Sequence, residues 1–160
     1  MKLRRRIRRG MTMSELLIVV VIAAIVFMLA IPKISISRDG AGRRAARSQL
    51  VAAFAATRSA ALQKGKSASL ALTSSTATVT VLTGLAGTQF TAWGPIDFTN
   101  TLGATIEALD GAATTISYNA RGMLTPTPAG TLKYRLTVGT MKDTVCISTA
   151  GIIMPKGCKL

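Results

Sequence analysis

The chain contains no histidine, and only six acidic side chains are spread through its 160 residues. General acid–base, nucleophilic and metal-assisted chemistry draw on those residue types, so most of the usual catalytic and ligating groups are missing. An enzymatic role is not expected, nor is a metal or any other cofactor. Aromatic residues make up 4% of the composition. Any core is thereby left to Val, Ile, Leu and Ala, and few rings are available for stacking on nucleic-acid bases. Cysteine is limited to Cys146 and Cys158. Their spacing fits neither a zinc site nor a redox CxxC. In an oxidising compartment the pair could form a disulfide; otherwise they are two thiols, with Cys146 at an inward strand position.

What is present is concentrated at the N-terminus. Lys2, Arg4, Arg5, Arg6, Arg8 and Arg9 carry six positive charges with no acid among them, so the formal charge of +14 falls to +8 without them. A short polar stretch, Gly10-Met11-Thr12-Met13-Ser14-Glu15, leads into sixteen uninterrupted apolar residues, Leu16 to Ile31. As a helix this run measures about 24 Å at roughly 1.5 Å per residue, slightly short of a bilayer core, and Met11 and Met13 lengthen it. A cleaved secretory signal fits poorly. Ala30-Ile31-Pro32-Lys33 is a weak small-residue cleavage site, and the basic block is separated from the apolar run. The arginines predict a cytoplasmic N-terminus, which places residues beyond about 35 on the far side of the membrane, in agreement with a disulfide.

Glu15 is the residue out of place. A carboxylate within hydrocarbon costs on the order of 2.5–3.5 kcal/mol on insertion scales, and such groups are usually paired. A cut between Gly10 and Met11 would create an α-amino group four residues from Glu15, one turn away on the same helical face. That amine, or a neighbouring copy's, could neutralise the acid. The alternative is that Glu15 rests in the headgroup region.

Arg8-Arg9-Gly10 followed by Met11-Thr12-Met13-Ser14-Glu15-Leu16-Leu17 resembles the class III signal of type IV pilins and type II secretion pseudopilins. The resemblance implies that a prepilin peptidase cuts after Gly10 and methylates Met11, and that Glu15 guides docking of the subunit into a filament. Met11 stands where the family usually has phenylalanine, and Ser14 where it usually has an apolar residue. Pro32 falls where pilins often carry a helix-breaking proline, which removes one backbone hydrogen bond. The resemblance divides the chain into a cleaved leader (1–10), a transmembrane and filament-core helix (11–34), and a periplasmic domain (35–160).

From about Ala41 to Gly65 the pattern is helical. Ala46, Leu50, Phe54 and Ala61 recur at near-helical spacing, Arg43, Arg47, Arg58 and Lys64 are the charged positions, and Gly65 is a natural stop. Ser35–Gly42 is expected to interrupt or loosen the helix. The arginines form a solvated face, an anion-binding stripe or an inter-subunit contact. Gly65-Lys66-Ser67 imitates the end of a phosphate-binding loop, but the glycine required five residues earlier is Ala60, and the helix precedes the motif. Beyond Gly65, SASLALT, TATVTVL, TTISYN, TLKYRLTV and DTVCIST alternate with turn clusters, which predicts short antiparallel strands. The expected fold class is α+β: a long N-terminal helix, transmembrane and then amphipathic, with an antiparallel sheet packed on its C-terminal half. Residues 84–111, with Trp93 and the turn candidate Gly94-Pro95, yield no clear element.

LVAAFAATRSAALQKGKSASLAL, ISYNARGMLTPTPAGTLKYRLTV and DTVCISTAGIIMPKGC resemble the GspH/FimT group of minor pseudopilins and pilins. This implies a minor subunit of a filament rooted in the bacterial inner membrane, serving type II secretion or a type IV pilus. Its partners would be prepilin peptidase, other pilin or pseudopilin subunits, and the membrane. A Cys146–Cys158 staple is common among pilins. The alternative function is DNA binding in uptake, through Arg43, Arg44, Arg47, Arg58, Lys156 and Lys159, because phosphate contacts need only such cations. DNA-binding relatives carry a Gly-Arg-type motif in the C-terminal strand; here that strand reads Gly151-Ile152-Ile153-Met154-Pro155, with Lys156 and Lys159 the only cations nearby.

Overall fold

The computed structural model describes residues 11–82, 88–154 and 158, with backbone alone over 29–36. The leader, Gly10, Lys156 and Lys159 lie outside the described residues. The chain divides into two compact units, Met1–Ser37 and Arg38–Leu160. One helix, α1, runs Met13–Lys64 and contributes to both.

The expected interruption does not occur, since α1 continues through Pro32 and through Ser35–Gly42. A proline inside a helix removes a single ladder bond, and the bonds on either side carry the helix past it. Gly40 and Gly42 each cost about 1 kcal/mol relative to alanine in a helix. At Gly42 packing gives a reason for the residue. A methyl group there would stand 3.2 Å from the Leu102 carbonyl oxygen and 3.3 Å from Val138 Cγ1, tighter than carbon atoms normally approach. The helix ends as its sequence indicates. Gly65 takes the left-handed conformation at φ +61°, and the Lys66 N–H donates back to the Ala61 carbonyl at 3.2 Å.

In the second unit, α1 lays Ala46, Leu50, Ala53, Phe54, Thr57 and Ala61 into the core, every one fully buried. The helical spacing that singled out Ala46, Leu50, Phe54 and Ala61 thus marks the buried stripe. Thr57, the buried polar member, donates its hydroxyl to the Ala53 carbonyl one turn back, at 2.7 Å. Two antiparallel sheets complete the domain. The first contains β1 (Ala68–Leu72), β2 (Thr76–Leu82), β3 (Gln89–Asp97), β5 (Thr115–Tyr118) and β6 (Leu124–Thr125), ordered β3-β2-β1-β5-β6. The second contains β4 (Ala104–Leu109), β7 (Leu132–Val138), β8 (Met141–Ile147) and β9 (Ile153–Met154), ordered β4-β7-β8-β9. Alternate residues face inward, as strand geometry requires: Ala77, Val79 and Val81 from β2, and Tyr134, Leu136 and Val138 from β7. The Tyr134 ring meets that of Phe54 with centroids 5.6 Å apart.

The α+β expectation holds, with the strands split between two sheets. They separate because β5 pairs next with β6, while β4 and β7–β9 pair among themselves. The stretch that yielded no clear element holds β3, a short helix α2 (Phe98–Leu102) and β4. Asp97 caps α2 by accepting from the Asn100 N–H at 2.8 Å, and Gly103 closes it at φ +63°.

Candidate functional site

The first candidate is the start of α1. Thr12 is its N-cap: the hydroxyl accepts from the Glu15 N–H at 3.3 Å, and its carbonyl accepts the first helical bond, from Leu16 N at 3.2 Å. Glu15 therefore occupies the third helical position after a threonine cap, at the positive end of the helix dipole. The N-cap role of Thr12 was missed from the sequence, although the pattern Thr12-Met13-Ser14-Glu15 was there to find it. Met11 precedes the cap, outside the helix and exposed. Its nitrogen is a peptide amide in the uncut chain, so the charge proposed to meet Glu15 arises only on cleavage.

Beyond the cap, the helix has no polar face. From Leu16 to Ile22 seven successive apolar residues cover every side of it, each at least half exposed, and Ile25, Val26, Phe27 and Met28 continue the same surface. Apolar surface of this extent needs a cover of lipid or of other apolar helices. Among the described residues no helix is long and apolar enough to cross a membrane. The described part of the apolar run, Leu16 to Met28, is thirteen residues long, or about 20 Å of helix against a core of about 30 Å.

The second candidate is the set of cations on the other half of α1. Arg47 reaches Asp143 on β8 at 3.2 Å, both half-buried. Arg44 is exposed. The Nε atoms of Arg43 and Arg58 are buried without a hydrogen-bond partner among the described residues. Arg58 lies against Gly122 and faces Tyr118, whose phenol is pushed above its ordinary value by burial while the arginine's charge pulls the other way. Arg44 and Arg47 line one cavity and Arg58 another, so the four arginines are not presented as a single exposed track. Cys146, buried in β8, is bonded to Cys158, with Cα atoms 5.3 Å apart.

Residues 5–31 match the family model described as the prokaryotic N-terminal methylation motif. The structure is similar to that of the type IV minor pilin FimU of Pseudomonas aeruginosa in two crystal forms. One aligns at TM-score 0.54 and 17% identity, covering 69% of this chain and 85% of FimU. The other aligns at TM-score 0.51 and 18% identity, covering 69% and 90%. None of the curated proteins matches the sequence. The motif and the fold together support a member of the type IV pilin-like superfamily. The particular resemblance in fold is to a minor pilin.

Proposed function

We propose that the chain is a minor pilin or pseudopilin of the GspH/FimT kind, working in type II secretion or in a type IV pilus. In this reading prepilin peptidase removes residues 1–10 after Gly10 and methylates Met11. The subunit waits in the bacterial inner membrane with its N-terminus cytoplasmic and residues 35–160 periplasmic, and then enters a filament. The observation that carries the reading is the helix surface from Leu16 to Met28, apolar on all sides and directly preceded by a capped, acid-bearing first turn. Lipid and packed helices are both apolar, so such a segment can pass from bilayer to filament core without meeting water. Glu15 supplies selectivity, being tolerated in the new site where an amine meets it.

The test is N-terminal mass spectrometry of the chain expressed with a prepilin peptidase. The expected product begins at a methylated Met11. Gly10→Val should leave full-length precursor, and Glu15→Ala should be cut but fail to enter filaments. An uncut wild-type chain would make this a plain signal-anchored domain.

DNA uptake is the rival reading. Against it, Arg47 is engaged with Asp143, and Arg58 is half-buried beside Tyr118 rather than open to a phosphate backbone. A salt-dependent gel shift with the full chain in detergent tests it.

A further inference from the structure

The end of the second unit at which its part of α1 begins carries an excess of cations. Arg38 and Arg44 are exposed there, and Arg43 is half-buried. The turn between β7 and β8 lies against the same stretch of helix, Gly139 beside Asp39 and Val138 beside Gly42. Lys142, exposed and opposite Thr137, belongs to that hairpin. Asp143 next to it is paired with Arg47. Asp97 caps the far end of α2 from Leu102, which meets Gly42. Asp39 is the remaining acid at this end, half-buried and in no ion pair among the described residues. Four cations against that one carboxylate leave three positive charges uncompensated.

We infer that this end of the second unit docks on anionic lipid headgroups of the bilayer that holds the apolar run, through Arg38, Arg44 and Lys142. The occupant follows from how the cations are set. Arg38 and Arg44 are about 240° apart around α1 at 100° per residue. Lys142 projects from the outer face of its sheet, because Asp143 beside it faces α1. A rod such as duplex DNA, laid along one face, meets only some of these groups, whereas a charged plane across the end of the unit meets all three. The sequence keeps such a plane within reach. Arg38 follows Ile31, the last residue of the apolar run, by seven positions, a span of at most about 25 Å whatever the angle between the two units. Cations held this way gain from the negative surface potential of an anionic leaflet, and the gain falls off within a Debye length. Entry into a filament then breaks these contacts, which makes lipid charge a brake on assembly. The inference rests on the reading that the run lies in a bilayer, and adds to it a lipid class and the residues that select it.

The test places the full chain in nanodiscs of zwitterionic lipid, with or without anionic phosphatidylglycerol, both carrying a headgroup spin label. A fluorophore on Thr140→Cys, attached without reductant so that Cys146–Cys158 stays bonded, reports by its quenching how close the β7–β8 turn comes to the headgroups. Quenching should be roughly twofold or more greater in the anionic discs. About 1 M salt should abolish the difference, and so should the combined variant Arg38→Gln, Arg44→Gln, Lys142→Gln. Lys64→Gln with Arg121→Gln removes two exposed cations from the other end of the unit and should leave the difference intact. A fluorophore on Gln63→Cys, about 37 Å along α1 from Arg38, should not respond to lipid charge. Equal quenching in the two kinds of disc, a difference that survives salt, or equal loss with the distal pair would overturn the inference while leaving the membrane reading intact. A chain that enters neither kind of disc would overturn the membrane reading, and this inference with it.

Discussion

Leu50 and Phe54 are fully buried on α1, whereas Ile18 and Ile22 of the same helix keep more than half of their surface exposed. The residue types are alike, so composition does not explain the contrast. In the second unit the helix has two sheets to pack against, and its apolar residues fall on one stripe. In the first unit they cover the whole circumference and are exposed among the described residues. One region is stable through its own contacts; the other depends on what surrounds it. A helix that is apolar on every side has its environment specified by its sequence, even where its contacts are not.

That contrast can be broken first in the core. Phe54→Ala should cost about 3–5 kcal/mol in the second unit, read as a lower denaturation midpoint of the detergent-solubilised chain. Ile18→Ala should leave that midpoint within about 0.5 kcal/mol. Equal effects would mean that the two regions do not differ as described. Next in size is the covalent tie. Cys158→Ser should cost roughly 3 kcal/mol in the chain-entropy account of a short closed loop, and reductant should reproduce the loss in the wild type while leaving the variant unchanged.

Alkaline pH separates the regions in another way. Burial raises the phenols of Tyr134 and Tyr118, and Tyr134 donates its proton to the Ala113 carbonyl at 2.7 Å. The folded state then holds these protons more tightly than the unfolded chain does. Stability should therefore be full below about pH 10 and decline as pH rises past it. Tyr134→Phe should flatten that decline in a series of denaturation curves; an unchanged slope would show that Tyr134 does not contribute. The smallest effect belongs to the other region. Thr12→Ala should cost about 1 kcal/mol at the first turn, visible as faster amide exchange at Ser14 and Glu15 in micelles, with Thr12→Ser restoring protection.

Much of this was legible from spacing alone. The strands read from β-branched alternation correspond to β1, β2, β5, β7 and β8, and Ala46, Leu50, Phe54 and Ala61 lie where helical periodicity put them. β3 escaped notice because it is an edge strand, exposed over most of its length and irregular in its pairing with β2 between Ala77 and Thr80, so no inward face shows in its residues. α2 is too short for periodicity, and its signals were the capping Asp97 and the closing Gly103. Ala104–Glu107 does alternate, but alanine and glutamate are poor strand markers. Glycine and proline were over-read at Pro32 and Gly40–Gly42, since local breakers yield to packing and to the length of the surrounding ladder. At the candidate site, Glu15 was found through its misfit with hydrocarbon, whereas its capping partner Thr12 went unnoticed. The pairing of β9 with β8 is a long-range outcome that no local pattern encodes.

Gly42 behaves as a keyway. It admits Leu102 and Val138 against the helix backbone at one angular setting and one axial position. Inserting a single residue between Gly42 and Ala46 would turn the two by about 100° and shift them by about 1.5 Å, so key and core stripe could no longer engage together. Length changes in this stretch should therefore be far less tolerated than substitutions. The segment whose glycines suggested slack is the one that holds the helix in phase.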